Sequence, residues 1–184
     1  MTRLILFLAA IAAATVAPAG AVTPLWARGH AVIPAPQKVT LRPGEVVFDS
    51  SWSTVAAGLP AGHPAPRALT EDLREFQTLE LGRGGKPVTL SIQAGTVAVP
   101  GDAELAPQGY RLSVTPDKVD IIGNGDAGLF YGVQTFLQLL KPGPRGVLLL
   151  PECTIEDWPA FQLRFLHWDT KNHQDRLETL KRYL

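Results

Sequence analysis

Sulfur is almost absent from this 184-residue sequence, which has one cysteine, Cys153, and one methionine at its start. A lone cysteine excludes an internal disulfide and any thiolate zinc cluster. No nucleophile motif surrounds it, so a small, buried apolar role is the reading. An excess of either charge is also missing. Lys plus Arg and Asp plus Glu are 17 each, so no net field draws the chain to nucleic acid or an anionic membrane surface. Nor is there an apolar run of the roughly 20 residues that span a bilayer. The stretch from Leu4 to Ala14 falls well short of that. With Arg3 before it and Ala19-Gly20-Ala21 after it, it reads as a cleavable export signal over residues 1–21, without a membrane anchor. The expected destination is periplasmic or extracellular. What remains is rich in core-forming residues, since 46% of the sequence is hydrophobic, enough for one ordinary globular core.

Residues 22–31 show no period and read as a leader. Residues 32–150 alternate between strand and helix patterns. Val39-Thr40-Leu41 and Glu45 to Phe48 are β-rich and separated by Arg42-Pro43-Gly44, which predicts a hairpin or two successive short strands. Ser50 to Ser53 are expected to lead away from the sheet. Leu69, Leu73, Phe76 and Leu79 then fall on one helical face. The acids Glu71, Asp72 and Glu75 around it read as a solvated surface near a helix start. Val88 to Ile92 alternates as a half-buried strand does. Tyr110 to Thr115 and Val119 to Gly123 flank Pro116-Asp117-Lys118 and predict an antiparallel hairpin. Gly123 to Gly128 lies between a strand and a helix but carries neither the dinucleotide fingerprint nor a Walker Lys-Ser/Thr. It reads as a tight turn capped by Asp126. Leu129, Val133, Phe136, Leu137 and Leu140 mark a second helix, ended by Lys141-Pro142-Gly143-Pro144. The expected fold is α+β, a mostly antiparallel sheet with two helices on one face. Val147 to Leu150 gives a short strand, and Pro151 to Pro159 a domain boundary.

From Thr154 to His173 the chain reads as a Pro-punctuated entry into a buried strand, with Arg164, His167 and Asp169 among apolar residues. Leu177, Leu180, Tyr183 and Leu184 then recur at helical spacing, with no capping residue after them. Residues 151–184 are therefore expected to open a larger architecture, a first βα unit whose partners lie elsewhere.

The runs Gly109 to Leu140 and Thr154 to His173 resemble the β-N-acetylhexosaminidases of glycoside hydrolase family 20. The matching positions are Gly128-Leu129-Phe130-Tyr131-Gly132, Leu139-Leu140, Asp157-Trp158-Pro159-Ala160-Phe161, Arg164 and Asp169. Ala160 stands where the family commonly has Arg, and Phe165 where it has Gly. The resemblance implies a small α+β domain ahead of a (β/α)8 barrel, residues 151–184 being the start of a truncated barrel. It also implies an exported enzyme that removes terminal N-acetylhexosamine from glycans, with the substrate's own acetamido oxygen as nucleophile. It implies no cofactor. The family's catalytic Asp-Glu pair is not in this sequence, because Glu71-Asp72 and Glu156-Asp157 are both in reverse order. No catalytic residue is therefore assigned here.

By resemblance, Arg164 is a substrate-binding residue whose fixed fan of donors suits sugar hydroxyls, and Asp169 accompanies it. A structural Arg164 paired with Asp157 or Asp169 is the competing reading. His167, Asp169 and His173 have a spacing compatible with metal ligation, but the family match accounts for Asp169 without a metal, and none is assigned. The alternative for the whole chain is a non-catalytic exported module that binds a carbohydrate or a protein.

Overall fold

Two kinds of connection decide how the strands pair. A computed structural model describes residues 23–101, 103–165 and 176. Strands β1 (Lys38–Phe48), β2 (Trp52–Ala56), β3 (Lys86–Ile92), β4 (Tyr110–Val114), β5 (Val119–Gly123), β6 (Lys141–Pro142) and β7 (Leu148–Asp157) form one sheet. Its order is β1-β7-β4-β5-β3-β2, with β6 paired to β7. The short turn between β4 and β5 makes them the predicted antiparallel hairpin, Leu112 opposite Ile121. Helix α2 (Pro64–Gln77) instead carries the chain from β2 across to β3, and a helical crossover returns the next strand parallel. β3 and β5 are parallel as well. The sheet is thus mixed, which corrects the mostly antiparallel expectation. The β2–β3 parallel pair arises because the chain does not leave the sheet over Ser50 to Ser53 as expected: Trp52 and Ser53 begin its edge strand β2.

β1 is another correction. It runs through Arg42-Pro43-Gly44 as one strand, pairing Leu41 with Cys153 and Glu45 with Pro151. The extra β1 residues bulge out of the ladder, which accommodates a proline that cannot donate to it. β7 reaches Asp157, so residue 150, expected to close the domain, lies inside a strand paired on both sides, to β1 and β4.

Helices α2 and α3 (Asp126–Leu139) cover one face of the sheet, as the apolar spacing predicts. Leu69 and Leu73 of α2 meet Leu129, Val133 and Phe136 of α3 in a core that includes Phe48, Trp52, Leu90, Leu112 and Ile121. Phe48 centres the aromatic packing, 5.3 Å from both the Trp52 and the Phe136 ring centroids. Phe76, counted on the same face of α2, is exposed. Asp126 is not the cap of α3. Gly125 takes that place without a side-chain bond, and Asp126 in the first turn accepts a 3.0 Å hydrogen bond from His63 Nε2. His63 in turn caps α2, its Nδ1 accepting from Ala65 N at 3.1 Å. One imidazole thereby ties the starts of both helices together. Short helix α1 (Pro24–Ala27) lies in the leader and inserts Leu25 into the core.

The first barrel strand does not form within the described residues. Residues 158–165 have no regular structure, and Phe161, Leu163 and Phe165 are exposed. A barrel strand takes its backbone partners from neighbouring barrel strands, and none borders this segment among the described residues. The barrel helix expected over Gln174 to Leu184 lies outside the described residues, apart from Arg176.

Candidate functional site

Asp157 is the last residue of β7, and the pleat sends it and Glu156 to opposite faces of the sheet. On the open face, Glu156 Oε1 accepts from Arg111 Nη2 at 2.7 Å and Nε at 3.0 Å. The Arg111 hydrogen bonds, with a smaller contribution from Lys38, hold the Glu156 carboxyl below its ordinary range despite some desolvation. On the helix face, Asp157 stands opposite Tyr110 in the register. Its Oδ2 accepts from the Tyr110 hydroxyl at 2.9 Å, and its Oδ1 accepts from the backbone N–H of Gln37 at 3.0 Å. Tyr110 Oη is also 2.5 Å from Thr135 Oγ1 on α3. Because Tyr110 donates to Asp157, Thr135 donates to Tyr110. Burial, and then the Asp157 charge, push the Tyr110 hydroxyl well above its ordinary range. Tyr110 is therefore a fixed neutral donor. Glu156-Asp157 is thus divided between two separate structural networks, and neither acid is free to act as the other's catalytic partner.

Asp157 also lines a groove of about 390 Å³ between the segment from Val32 to Gln37, the flank of α3 and the exit segment, with Tyr131, Gln134, Trp158 and Phe161 among its walls. Arg164 borders the same groove. Its Nη2 donates to Gln108 Oε1 at 2.7 Å and to the Tyr131 hydroxyl at 3.2 Å, its Nη1 donates to the Phe161 carbonyl, and its guanidinium lies 5.8 Å from the Tyr131 ring centroid. Among the described residues no ion pair joins Arg164 to Asp157, which was one of its two expected structural partners. The side chain remains exposed. The other, Asp169, lies outside the described residues together with His167 and His173, so the expected metal-like spacing has no geometry here. Cys153 is buried in the core, where desolvation pushes its thiol up to about 12.

The Tyr110–Asp157–Gln37 network was not legible in advance. In the sequence Tyr110 only begins an alternating strand, Gln37 follows two prolines, and of the three only Asp157 is a matched motif position. The glycines of the Gly128 to Gly132 motif acquire a reason. A Cβ on Gly128 would come within 2.2 Å of the Gly109 carbonyl oxygen, and one on Gly132 within 2.6 Å of Ile121 Cγ2. That run is spaced so that α3 can lie directly on β4 and β5.

The sequence profile described as "Glycosyl hydrolase family 20, domain 2" matches residues 29–158. The chain belongs to glycoside hydrolase family 20. The matched span starts in the leader and ends one residue past Asp157, so this family's domain 2 is the mixed sheet with its two covering helices. A beta-hexosaminidase of Porphyromonas gingivalis is 30% identical over 170 residues, which is 88% of this chain and 21% of that protein. A beta-hexosaminidase of Vibrio vulnificus is 28% identical over 83% of this chain and 16% of its own length. The chain thus spans about a fifth of the length of these curated relatives. Among solved structures, the family 20 β-N-acetylhexosaminidase of Streptomyces coelicolor A3(2) superposes with a TM-score of 0.66 at 28% identity, over 88% of this chain and 32% of that one. The family 20 exo-β-N-acetylglucosaminidase of Vibrio harveyi, solved with N-acetylglucosamine, has the same fold here at a TM-score of 0.67 and 22% identity, over 83% of this chain and 22% of its own.

Proposed function

We propose that this chain serves as the supporting α+β domain of an exported glycoside hydrolase that removes terminal N-acetylhexosamine from glycans by substrate-assisted hydrolysis. The observation that carries the reading is the family 20 domain 2 match over residues 29–158, followed directly by the segment holding Arg164. Relatives named beta-hexosaminidase support the activity, and the N-acetylglucosamine complex of the Vibrio harveyi neighbour supports the sugar. Export rests on the charge, apolar run and small residues of positions 1–21. The Asp-Glu pair that would orient the acetamido group and move the proton is not in this sequence. In this reading Arg164 binds sugar hydroxyls, with Asp169 beside it, only once a catalytic domain is in place.

The packing supports a partner domain on α3. From Ala127 to Leu140 there is no charged residue, although Phe130, Gln134 and Gln138 are partly or fully exposed and Tyr131 packs against the core with only part of its surface. α2 shows what a solvated face looks like in the same molecule, with Arg67, Glu71, Arg74 and Glu75 all exposed. Beyond Asp126 in its first turn, α3 carries no charge on any side, as befits a helix that packs into an interior. The proposed occupant of its outer face is the catalytic domain of the same enzyme.

The test compares two proteins on 4-nitrophenyl N-acetyl-β-glucosaminide. The chain alone is expected to release no nitrophenol. Joined to the catalytic domain of the Streptomyces coelicolor enzyme, in place of that enzyme's own α+β domain, it is expected to give a soluble, active protein. Turnover by the chain alone, or a folded but inactive joined protein, overturns the proposal.

A further inference from the structure

We infer that Asp157 is a positioning residue: by holding the backbone of Gln37 and the hydroxyl of Tyr110, its carboxylate sets the direction in which the chain leaves the sheet toward Arg164. This rests on the reading of Arg164 as a substrate-binding residue.

Asp157 is the last residue of β7, and the eight residues after it have no regular structure. Whatever fixes Asp157 therefore fixes the origin of the exit segment. Three elements converge on it. Gln37, immediately before β1, donates its N–H to Oδ1, and Tyr110, the first residue of β4, donates to Oδ2. Thr135 on α3 holds Tyr110 from behind. The next residue is held from the same side. The Trp158 carbonyl accepts from Gln37 Nε2 at 3.5 Å, and Lys38 Nζ stands 5.3 Å from the Trp158 ring centroid. Pro159 then fixes its own φ. The exit is thus constrained at three consecutive residues, and the Asp157 carboxylate is the hub. A sheet ladder alone would not do this, since β7 has already reached its last paired residue, Asp157 opposite Tyr110.

The role is geometric and does not need the charge. Asn at 157 keeps one oxygen for the Gln37 N–H and offers an N–H to the Tyr110 oxygen, with the Tyr110 hydroxyl turning to Thr135. Ala keeps neither contact.

The experiment uses the joined enzyme described above and measures kcat, KM and thermal midpoint. Asp157→Ala is expected to lower kcat/KM about 10- to 100-fold, as a displacement of order 1 Å at a binding group does, mainly through KM. Asp157→Asn is expected to restore most of it. Tyr110→Phe, which removes only one of the two donors, is expected to show a smaller loss of the same kind and serves if the Ala protein does not fold. Unchanged KM in folded Asp157→Ala and Tyr110→Phe proteins overturns the inference. So does an Asn variant as impaired as Ala, which would assign the effect to charge. An inactive parent enzyme would instead overturn the proposed function, so the two failures are told apart.

Discussion

Glu156 and Arg111 form a pair on the open sheet face whose worth depends on pH. The Glu156 pKa is held below its ordinary value of about 4.5, chiefly by the Arg111 hydrogen bonds. A carboxyl with a depressed native pKa adds stability that is complete above its unfolded pKa and is lost as pH falls through the native one. The wild-type urea midpoint is therefore expected to drop below about pH 4.5 more steeply than that of Glu156→Gln. The two proteins should differ at pH 7 and converge in acid. Because the Arg111 side chain is 41% exposed, the difference should be modest and should shrink in high salt. Equal midpoints at every pH would remove the pair from the stability argument. Cys153 gives a second residue-scale test. With its thiol pushed up to about 12 by burial, it should resist alkylation at pH 8 in the native protein and react fully in urea. Rapid native labelling would contradict its place in the core.

Among the elements, α3 depends most on small residues. Its Gly128 lies against the Gly109 carbonyl, a backbone atom that cannot turn aside. Gly128→Ala is expected to cost about 3 kcal/mol or more, read as a lower urea midpoint with unchanged slope. A loss below 1 kcal/mol would mean that α3 can lift from the sheet without consequence. This packing also separates what the sequence disclosed from what it did not. The apolar spacing of Leu129, Val133 and Phe136 announced the helix, and the alternation of Tyr110 to Val114 and Val119 to Gly123 announced the hairpin, because both signals are local. The parallel pairs of the sheet depended on β3 finding Trp52 to Ala56 on one side, across a helix, and β5 on the other. Pro43-Gly44 looked like a hairpin turn, yet it became a bulge because β7 pairs with both halves of β1. Such outcomes are decided by a partner distant in sequence. The candidate site followed the same division. Asp157 and Arg164 were visible as motif positions, whereas Tyr110, Thr135 and Gln37 became its neighbours only through strand register and helix packing.

For the whole molecule, the decisive contrast is between the two helices that share one core. α2 presents charges outward, with Arg67 and Glu71 3.3 Å apart, and is suited to water. α3 presents aromatic and amide groups beside a groove that ends at the exit segment. A catalytic domain seated there would bury uncharged surface at little desolvation cost, whereas a charge introduced into that contact would have to be buried without a partner. Gln134 is the position for the test, since it lines the groove and lies on the outer side of α3. In the isolated chain Gln134→Lys remains partly solvated and is expected to change stability by less than about 0.5 kcal/mol. In the protein joined to a family 20 catalytic domain, the same lysine should lower the thermal midpoint of the assembly and reduce its activity. The charge-for-charge control Arg67→Lys on α2 should do neither. If Gln134→Lys is silent in both contexts, α3 does not face the catalytic domain and its lack of charge needs another cause. If it unfolds the isolated chain, the residue belongs to the core of this domain and not to the seam.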